Sequence, residues 1–219
     1  MLFALKLDGK LRLCVDYRKL NAVTVKDQYT LPLADEMRNK VWGAKWFTKI
    51  DMHWGYYNIC IKARDEWKTA FRMQYGLYEW LVMPMGLTNA VAWFQRFGDH
   101  AFQEFIDKFV IIYLDDILIF SNMEEEHVEH VTKVLEKLEE YDLQAKPEKC
   151  FFHWAEIEFL GYIVSRTEIR MSPAKVEAVA NWPTPTNKKE VLSFLGFTNF
   201  YRKFIHRFGW NAAPISRLT

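Results

Sequence analysis

Two adjacent carboxylates, Asp115 and Asp116, interrupt the most apolar stretch of the chain, Phe109–Phe120 (FVIIYLDDILIF). Their flanks, VIIY and ILIF, are strand formers, so the backbone carries both acids through what is otherwise core sequence. Burying an ionised carboxylate without a partner costs several kcal/mol, and two neighbours also repel each other. Two arrangements relieve that cost. The acids form the solvated turn of a β-hairpin, where Asp is common, or they hold a cation. The pair by itself does not choose between these. A third acid, Asp51, favours the cation, because it stands in a similar stretch, Trp46–Ile59 (WFTKIDMHWGYYNI), that reads as a largely buried strand running into a helix or turn. If the two strands are neighbours in one sheet, Asp51 and Asp115 face a shared pair of Mg²⁺ ions about 3.5–4 Å apart, the arrangement used for in-line phosphoryl or nucleotidyl transfer. Hard oxygen ligands suit that ion.

A chain of 219 residues that is 50% hydrophobic and 16% aromatic buries a sizeable core as one domain or two close-packed subdomains. Cys14, Cys60 and Cys150 are far apart and odd in number, without the spacing of a zinc site or a disulfide framework, which points to a reducing compartment. No run approaches the roughly 18 apolar residues of a membrane span, and Lys6 and Asp8 follow the short MLFAL start where a signal peptide would continue. An intracellular protein without a membrane partner is expected. The net charge of +1 hides an asymmetry: +5 over residues 1–50, 0 over 51–100, −8 over 101–150 and +4 over 151–219. Two basic ends around an acidic centre fit phosphate-binding regions flanking a metal-dependent site.

Most of the negative charge is structural. Glu124–Glu126 open an amphipathic helix with Val128, Val131, Leu135 and Leu138 on one face and acids elsewhere. Trp182–Thr186 (WPTPT) ends whatever precedes it. A helix is expected just after, with Asn187 and Glu190 as a capping pair and Leu192, Leu195, Thr198 and Ile205 as its stripe. The order upstream is the Asp51 strand, short strands at 59–61 and 69–73, a helix from about Asn89 to Ile106, the hairpin with Asp115 and Asp116, the acidic helix, and strands near 150–164. That order suggests a split βαβ arrangement with both acidic strands central.

Tyr113–Asp116 (YLDD) resembles the YxDD signature of reverse transcriptases. Six further blocks, in matching order, resemble the polymerase of Ty3/gypsy-type LTR retrotransposons: CVDYRKLN (14–21), KIDMHWGYYNI (49–59), EWKTAF (66–71), LVMPMGLTNA (81–90), EFLGYIV (158–164) and SFLGFTNFYRKFI (193–205). The resemblance covers nearly the whole chain. It implies an α+β fold, a right-hand polymerase with fingers, a ferredoxin-like split βαβ palm and a partial thumb. Its divisions would be fingers at 1–26 and 59–89, palm at 27–58 and 90–171, and thumb at 172–219, with the fingers truncated at the start and the chain stopping near the end of the thumb.

The resemblance also implies roles. Asp51, Asp115 and Asp116 are the catalytic acids and ligands of two Mg²⁺ ions, with Mn²⁺ as the substitute, and Asp116 is the supporting or weaker ligand. On the nucleotide side, Arg12 lies against the triphosphate, Lys6 is the other phosphate-contacting residue, Tyr56 lies beneath the incoming sugar, and Met85 borders the pocket. Contacts to template and primer fall to Arg18, Gln95, Tyr113, Leu160, Gly161, Tyr162, Gly196, Asn199, Arg202 and Lys203. Leu160–Tyr162 corresponds to the primer grip, and the last four to the helix that tracks the duplex. Each of these is also compatible with an ordinary packing or surface role. Implied partners are an RNA or DNA template with primer, deoxynucleoside triphosphates, and other polyprotein segments such as ribonuclease H and integrase, in a cytoplasmic particle or the nucleus.

Several positions depart from the family pattern. Leu7 replaces the second lysine before Asp-Gly, His53 a frequent Arg, Met85 a Phe, Val91 a Pro, and Trp93 a smaller residue. Three readings follow: an RNA-directed DNA polymerase, an inactive remnant that binds template-primer or acts only as an interaction module, and another palm enzyme such as a nucleotidyl cyclase. The last has no need of the primer-grip and thumb blocks.

Overall fold

The structure, a computed structural model, describes residues 2–5, 9, 11–32 and 34–217, with the backbone alone at 2, 12, 34, 35 and 38. It opens with a hairpin, β1 (Leu2–Leu5) and β2 (Leu11–Cys14), then helices α1 (Arg18–Val23) and α2 (Ala34–Val41), and strand β3 (Trp46–Asp51). A second small hairpin, β4 (Phe71–Met73) and β5 (Gly76–Tyr78), precedes α3 (Ala90–Ala101), β6 (Val110–Tyr113), β7 (Asp116–Ser121) and α4 (Glu124–Glu140). Strands β8 (Phe151–Trp154), β9 (Glu156–Phe159), β10 (Tyr162–Ser165) and β11 (Ile169–Met171) follow, then helices α5 (Pro173–Ala180), α6 (Lys188–Phe200) and α7 (Phe208–Ser216).

The central sheet has the order β6-β7-β3-β8 with every neighbouring pair antiparallel. Strand β3 therefore runs parallel to β6 through the α3 crossover, and β7 parallel to β8 through α4, which is the interlocked split βαβ arrangement expected from the sequence. Alternation sends successive side chains to opposite faces. On one face Ile50, Met52, Val110, Ile112, Ile117 and Ile119 pack with Phe94 of α3 and Val131, Val134 and Leu138 of α4. On the other, Phe47, Ile111, Leu118 and Phe120 pack with Met37 and Val41 of α2 and with Ile157, Phe159 and Val164. A sheet covered on both sides explains why its strands read as continuous apolar runs. Phe47, Ile50, Ile117, Leu118 and Ile119 are fully buried, each stabilising the fold by about 1.5–3 kcal/mol.

The helices differ in detail from expectation. The buried face of α4 is His127, Val131, Val134 and Leu138, while Val128 and Leu135 are exposed. The helix is held by a polar residue that a hydrophobicity pattern passes over. Helix α3 stops at Ala101, because Phe102–Phe109 turns back on itself through the carbonyls of Phe102 and Phe105. In α6 the expected cap is present, Asn187 accepting from the Glu190 amide at 3.0 Å. Its buried positions, however, are Val191 and Thr198; Leu192 is exposed, and Ile205 lies beyond the helix end at Phe200.

His127 is fully buried between α4 and the sheet, its Nε2 2.8 Å from Thr48 Oγ1 and its Nδ1 2.8 Å from Ser121 Oγ. Ser121 Oγ also lies 2.8 Å from His130 Nδ1. Burial, reinforced by His153 and His130, pushes the His127 imidazole down from 6.5 to about 4. Burial lowers His130 as well. The folded protein thus keeps His127 neutral where the unfolded chain protonates it. Its contribution is complete above the unfolded value and is lost as pH falls through the window from 6.5 to about 4. Urea midpoints measured across that window should drop by the equivalent of about 3 kcal/mol, and His127→Gln should flatten that part of the profile.

Candidate active site

Asp51 ends β3 and Asp116 begins β7, and the two are directly opposite each other in the antiparallel register. In such a pair both side chains leave the same face. Asp115 is next to them in the turn, its carbonyl accepting from the Met52 amide at 2.8 Å. Asp51 is nearly buried, with Lys146 Nζ 2.6 Å from one oxygen and Lys149 Nζ 3.5 Å from the other. Lys49, two residues before Asp51 on the same face, is 3.1 Å from Asp116. Burial raises the Asp116 carboxyl above the usual carboxylate range, Lys49 opposes the shift, and the charges of Asp115 and Asp51 add to it.

Three carboxylates and three ammonium groups therefore share one end of the sheet. The three acids are neighbours along the backbone, but among the described residues no group of three His, Cys, Asp or Glu side chains is disposed as a ready metal cage. The donor chemistry still fits a divalent cation. The oxygens are hard, and added positive charge favours the ionised form of Asp116 against both its burial and the repulsion from Asp115 and Asp51.

The turn that presents Asp115 is strained. Leu114 has φ 55°, left-handed backbone that a branched aliphatic residue adopts at a cost. Gln95 of α3 holds it in place. Its Oε1 accepts from the Leu114 amide at 2.9 Å, and its Nε2 donates to the Ile112 carbonyl at 3.1 Å and to Asp99 at 2.8 Å. The side chain is fully buried with its bonds directed inside the protein. Gln95, which the resemblance assigns to template or primer, acts here on the hairpin from behind.

Residues 4–164 match the family described as "Reverse transcriptase (RNA-dependent DNA polymerase)". The chain belongs to the reverse transcriptase family. Among curated relatives it is 41% identical over 208 residues to the "Retrovirus-related Pol polyprotein from transposon 297" of Drosophila melanogaster, covering 95% of this chain and 20% of that polyprotein. It is 38% identical over 218 residues to the "Transposon Tf2-3 polyprotein" of Schizosaccharomyces pombe, covering 100% of this chain and 16% of that polyprotein. It thus spans a fifth or less of these Ty3/gypsy-type relatives. Among solved structures, the foamy viral protease-reverse transcriptase dRH in complex with double-stranded DNA has a TM-score of 0.90 at 25% identity, over 99% of this chain and 38% of that one. The fold is accordingly the right-hand polymerase fold, α+β with a split βαβ palm.

The other residues singled out in this reverse transcriptase chain occupy varied settings. Tyr56 lies in the 3-10 turn Gly55–Asn58, half-buried, edge-on to Phe94 at 5.3 Å. Burial raises its phenol, and the charges of Asp115 and Tyr113 raise it further. Tyr113 pairs with Asp116 across the hairpin. Met85 is half-buried in the turn before α3. Arg18 is exposed, and its guanidinium is engaged by Asp16 at 2.7 Å. Lys6 lies outside the described residues, as does the Arg12 side chain, although the Arg12 backbone belongs to β2.

Leu160 and Gly161 form the two-residue turn between β9 and β10, with φ 53° and 81°, the geometry of a tight primed hairpin turn. A Cβ at Gly161 would lie 3.1 Å from Lys175 Cε, so the close approach there is to the protein's own α5. Tyr162 packs on Phe200, Tyr201 and Phe204. Gly196, Asn199, Arg202 and Lys203 are exposed, and a Cβ at Gly196 would meet nothing within 4 Å.

The lysines were not singled out from sequence. Lys49 was within reach of a period-two argument from Asp51; Lys146 and Lys149 join Asp51 across 95 and 98 positions, with no local signal. Because Gln95 satisfies a strained turn, Gln95→Leu should strand the Leu114 amide and cost about 1–3 kcal/mol. Urea denaturation measures that loss, and hydrogen exchange should show the Leu114 amide exchanging faster.

Proposed function

We propose that this chain carries the polymerase step of reverse transcription, extending a primer with deoxynucleotides on an RNA or DNA template. The observation that carries the reading is the register of β3 and β7, which sets Asp51 opposite Asp116 with Asp115 on the adjoining turn. Asp51 and Asp115 would hold two Mg²⁺ ions, Mn²⁺ serving as substitute, and Asp116 would support them, its negative charge steadied by Lys49. Bound there, the ions supply a lowered pKa for the primer 3′-hydroxyl and neutralisation of the triphosphate and departing pyrophosphate. Gln95 keeps the Asp115 turn in its strained shape, and Tyr56 lies under the sugar of the incoming nucleotide. Arg12 and Lys6 meet the triphosphate, with Met85 at the pocket's border. Arg18, Tyr113, the Leu160–Tyr162 turn and the exposed residues Gly196, Asn199, Arg202 and Lys203 line the path of template and primer. A fold match solved with double-stranded DNA supports a duplex as the partner. Fingers at 1–26 and 59–89, palm at 27–58 and 90–171 and thumb at 172–219 remain the division we assign, with ribonuclease H and integrase segments as polyprotein partners.

One observation favours a second reading, a non-catalytic remnant that binds template-primer: Lys146 and Lys149 both pair with Asp51 and would compete with a cation for its oxygens. The two readings part in primer extension on poly(rA) with dTTP and Mg²⁺. The polymerase reading expects extension that Asp115→Asn abolishes while duplex binding persists. Binding without Asp115-dependent extension would establish the remnant. In an active protein, Tyr56→Val should lower discrimination against ribonucleotides by about 10- to 100-fold, read as the ratio of kcat/KM for dTTP and UTP. Unchanged discrimination would remove Tyr56 from the sugar.

A further inference from the structure

Strand β8 is an edge of the central sheet, and it is bulged. Phe47 pairs with Trp154 and Lys49 with Phe151, so two steps along β3 oppose three along β8. The extra residue is absorbed at Phe152–His153, where His153 has φ 57° and donates its amide to Thr48 Oγ1 at 3.2 Å. In an unbulged strand, residues three apart point to opposite faces. Here the bulge brings Phe151 and Trp154 to one face, the face of Lys49, Asp51 and Asp116. Bulges of this kind re-aim side chains beside functional sites.

The two rings meet edge to face at 5.8 Å, yet neither is covered: Phe151 is 42% and Trp154 53% exposed. They line a cleft of ≈ 540 Å³ together with Lys49, Asp116 and the Leu160–Gly161 turn. That volume is in the range of small-ligand sites. Its charge decides which part of a nucleic acid fits. Lys49 is already engaged by Asp116 and Glu156 by Arg170, and Glu158 adds a further carboxylate. A triphosphate would meet an excess of negative charge. A sugar and base would meet aromatic faces, which stack on any base.

We propose that Phe151 and Trp154 are binding residues for the terminal nucleotide of the primer, seating its sugar and base beside Asp116 so that the 3′-hydroxyl faces the acids. The assignment rests on the polymerase reading above. It adds to that reading an aromatic wall on a different strand from the Leu160–Gly161 turn, created by a bulge.

The test uses fluorescence anisotropy with a labelled RNA/DNA template-primer carrying a recessed 3′ end, without nucleotide, beside a blunt duplex of equal length. Steady-state KM values for template-primer and for dTTP complete it. Trp154→Ala should weaken binding of the recessed end about tenfold or more, raise the KM for template-primer, and leave the KM for dTTP, blunt-duplex binding and the melting temperature unchanged. Trp154→Phe should restore most of the affinity. Unchanged recessed-end binding, equal losses on recessed and blunt duplexes, or a selective rise in the dTTP KM would each overturn the proposal. If the wild-type protein extends no primer, the polymerase reading fails on that result alone, and the anisotropy comparison still decides whether the aromatic wall holds a strand terminus.

Discussion

The pairing of Asp51 with Asp116 across β3 and β7 is the constraint around which the rest of the structure is arranged. Side-by-side carboxylates in a sheet repel, and little water is there to screen them. At an effective dielectric of about 20, two unit charges 4 Å apart interact by about 4 kcal/mol. The chain meets that cost by converging cations from two directions: Lys49 from the same strand, and Lys146 and Lys149 from the segment that follows α4. Hydrophobic packing on both faces of the sheet fixes the register, and the register fixes where the charges meet.

The strained turn shows the same dependence from the other side of the sheet. Leu114 adopts left-handed backbone where glycine would be easier. It is kept there by a carboxamide that is itself sealed inside the core. Interior packing of α3 and the aim of Asp115 are thus one problem with one solution. The histidine cluster under α4 is a parallel case, in which Ser121 and Thr48 join the helix to the two acid-bearing strands from beneath.

Much of this was legible in the sequence because the strong signals were periodic or local. The apolar runs around YLDD and Asp51 announced buried strands, the order of elements announced a split βαβ sheet, and the Asn187–Glu190 cap formed as read. What escaped was non-local or polar. Gln95 reads equally as a template contact, a packing residue or a surface residue, because nothing in its neighbourhood says that the Leu114 amide needs an acceptor. The face of α4 was misassigned because His127, a core residue here, scores as polar. Lys146 and Lys149 gave no sign of Asp51, and the bulge at His153 cannot be read from FFHW, whose regular alternation would have separated Phe151 from Trp154.

The sheet's two-sided burial also governs what kinds of sequence change this chain tolerates. At the end of β3 charged and packing residues alternate, Lys49 and Asp51 on one face and Ile50 on the other, so replacing one side chain leaves its neighbours where they were. Adding or removing a single residue within β3 or β7 exchanges the two sets outright, sending Ile50 toward the lysines and Asp51 into hydrocarbon. These strands therefore accept substitutions one at a time, whereas a change of length is accommodated only in the surrounding loops.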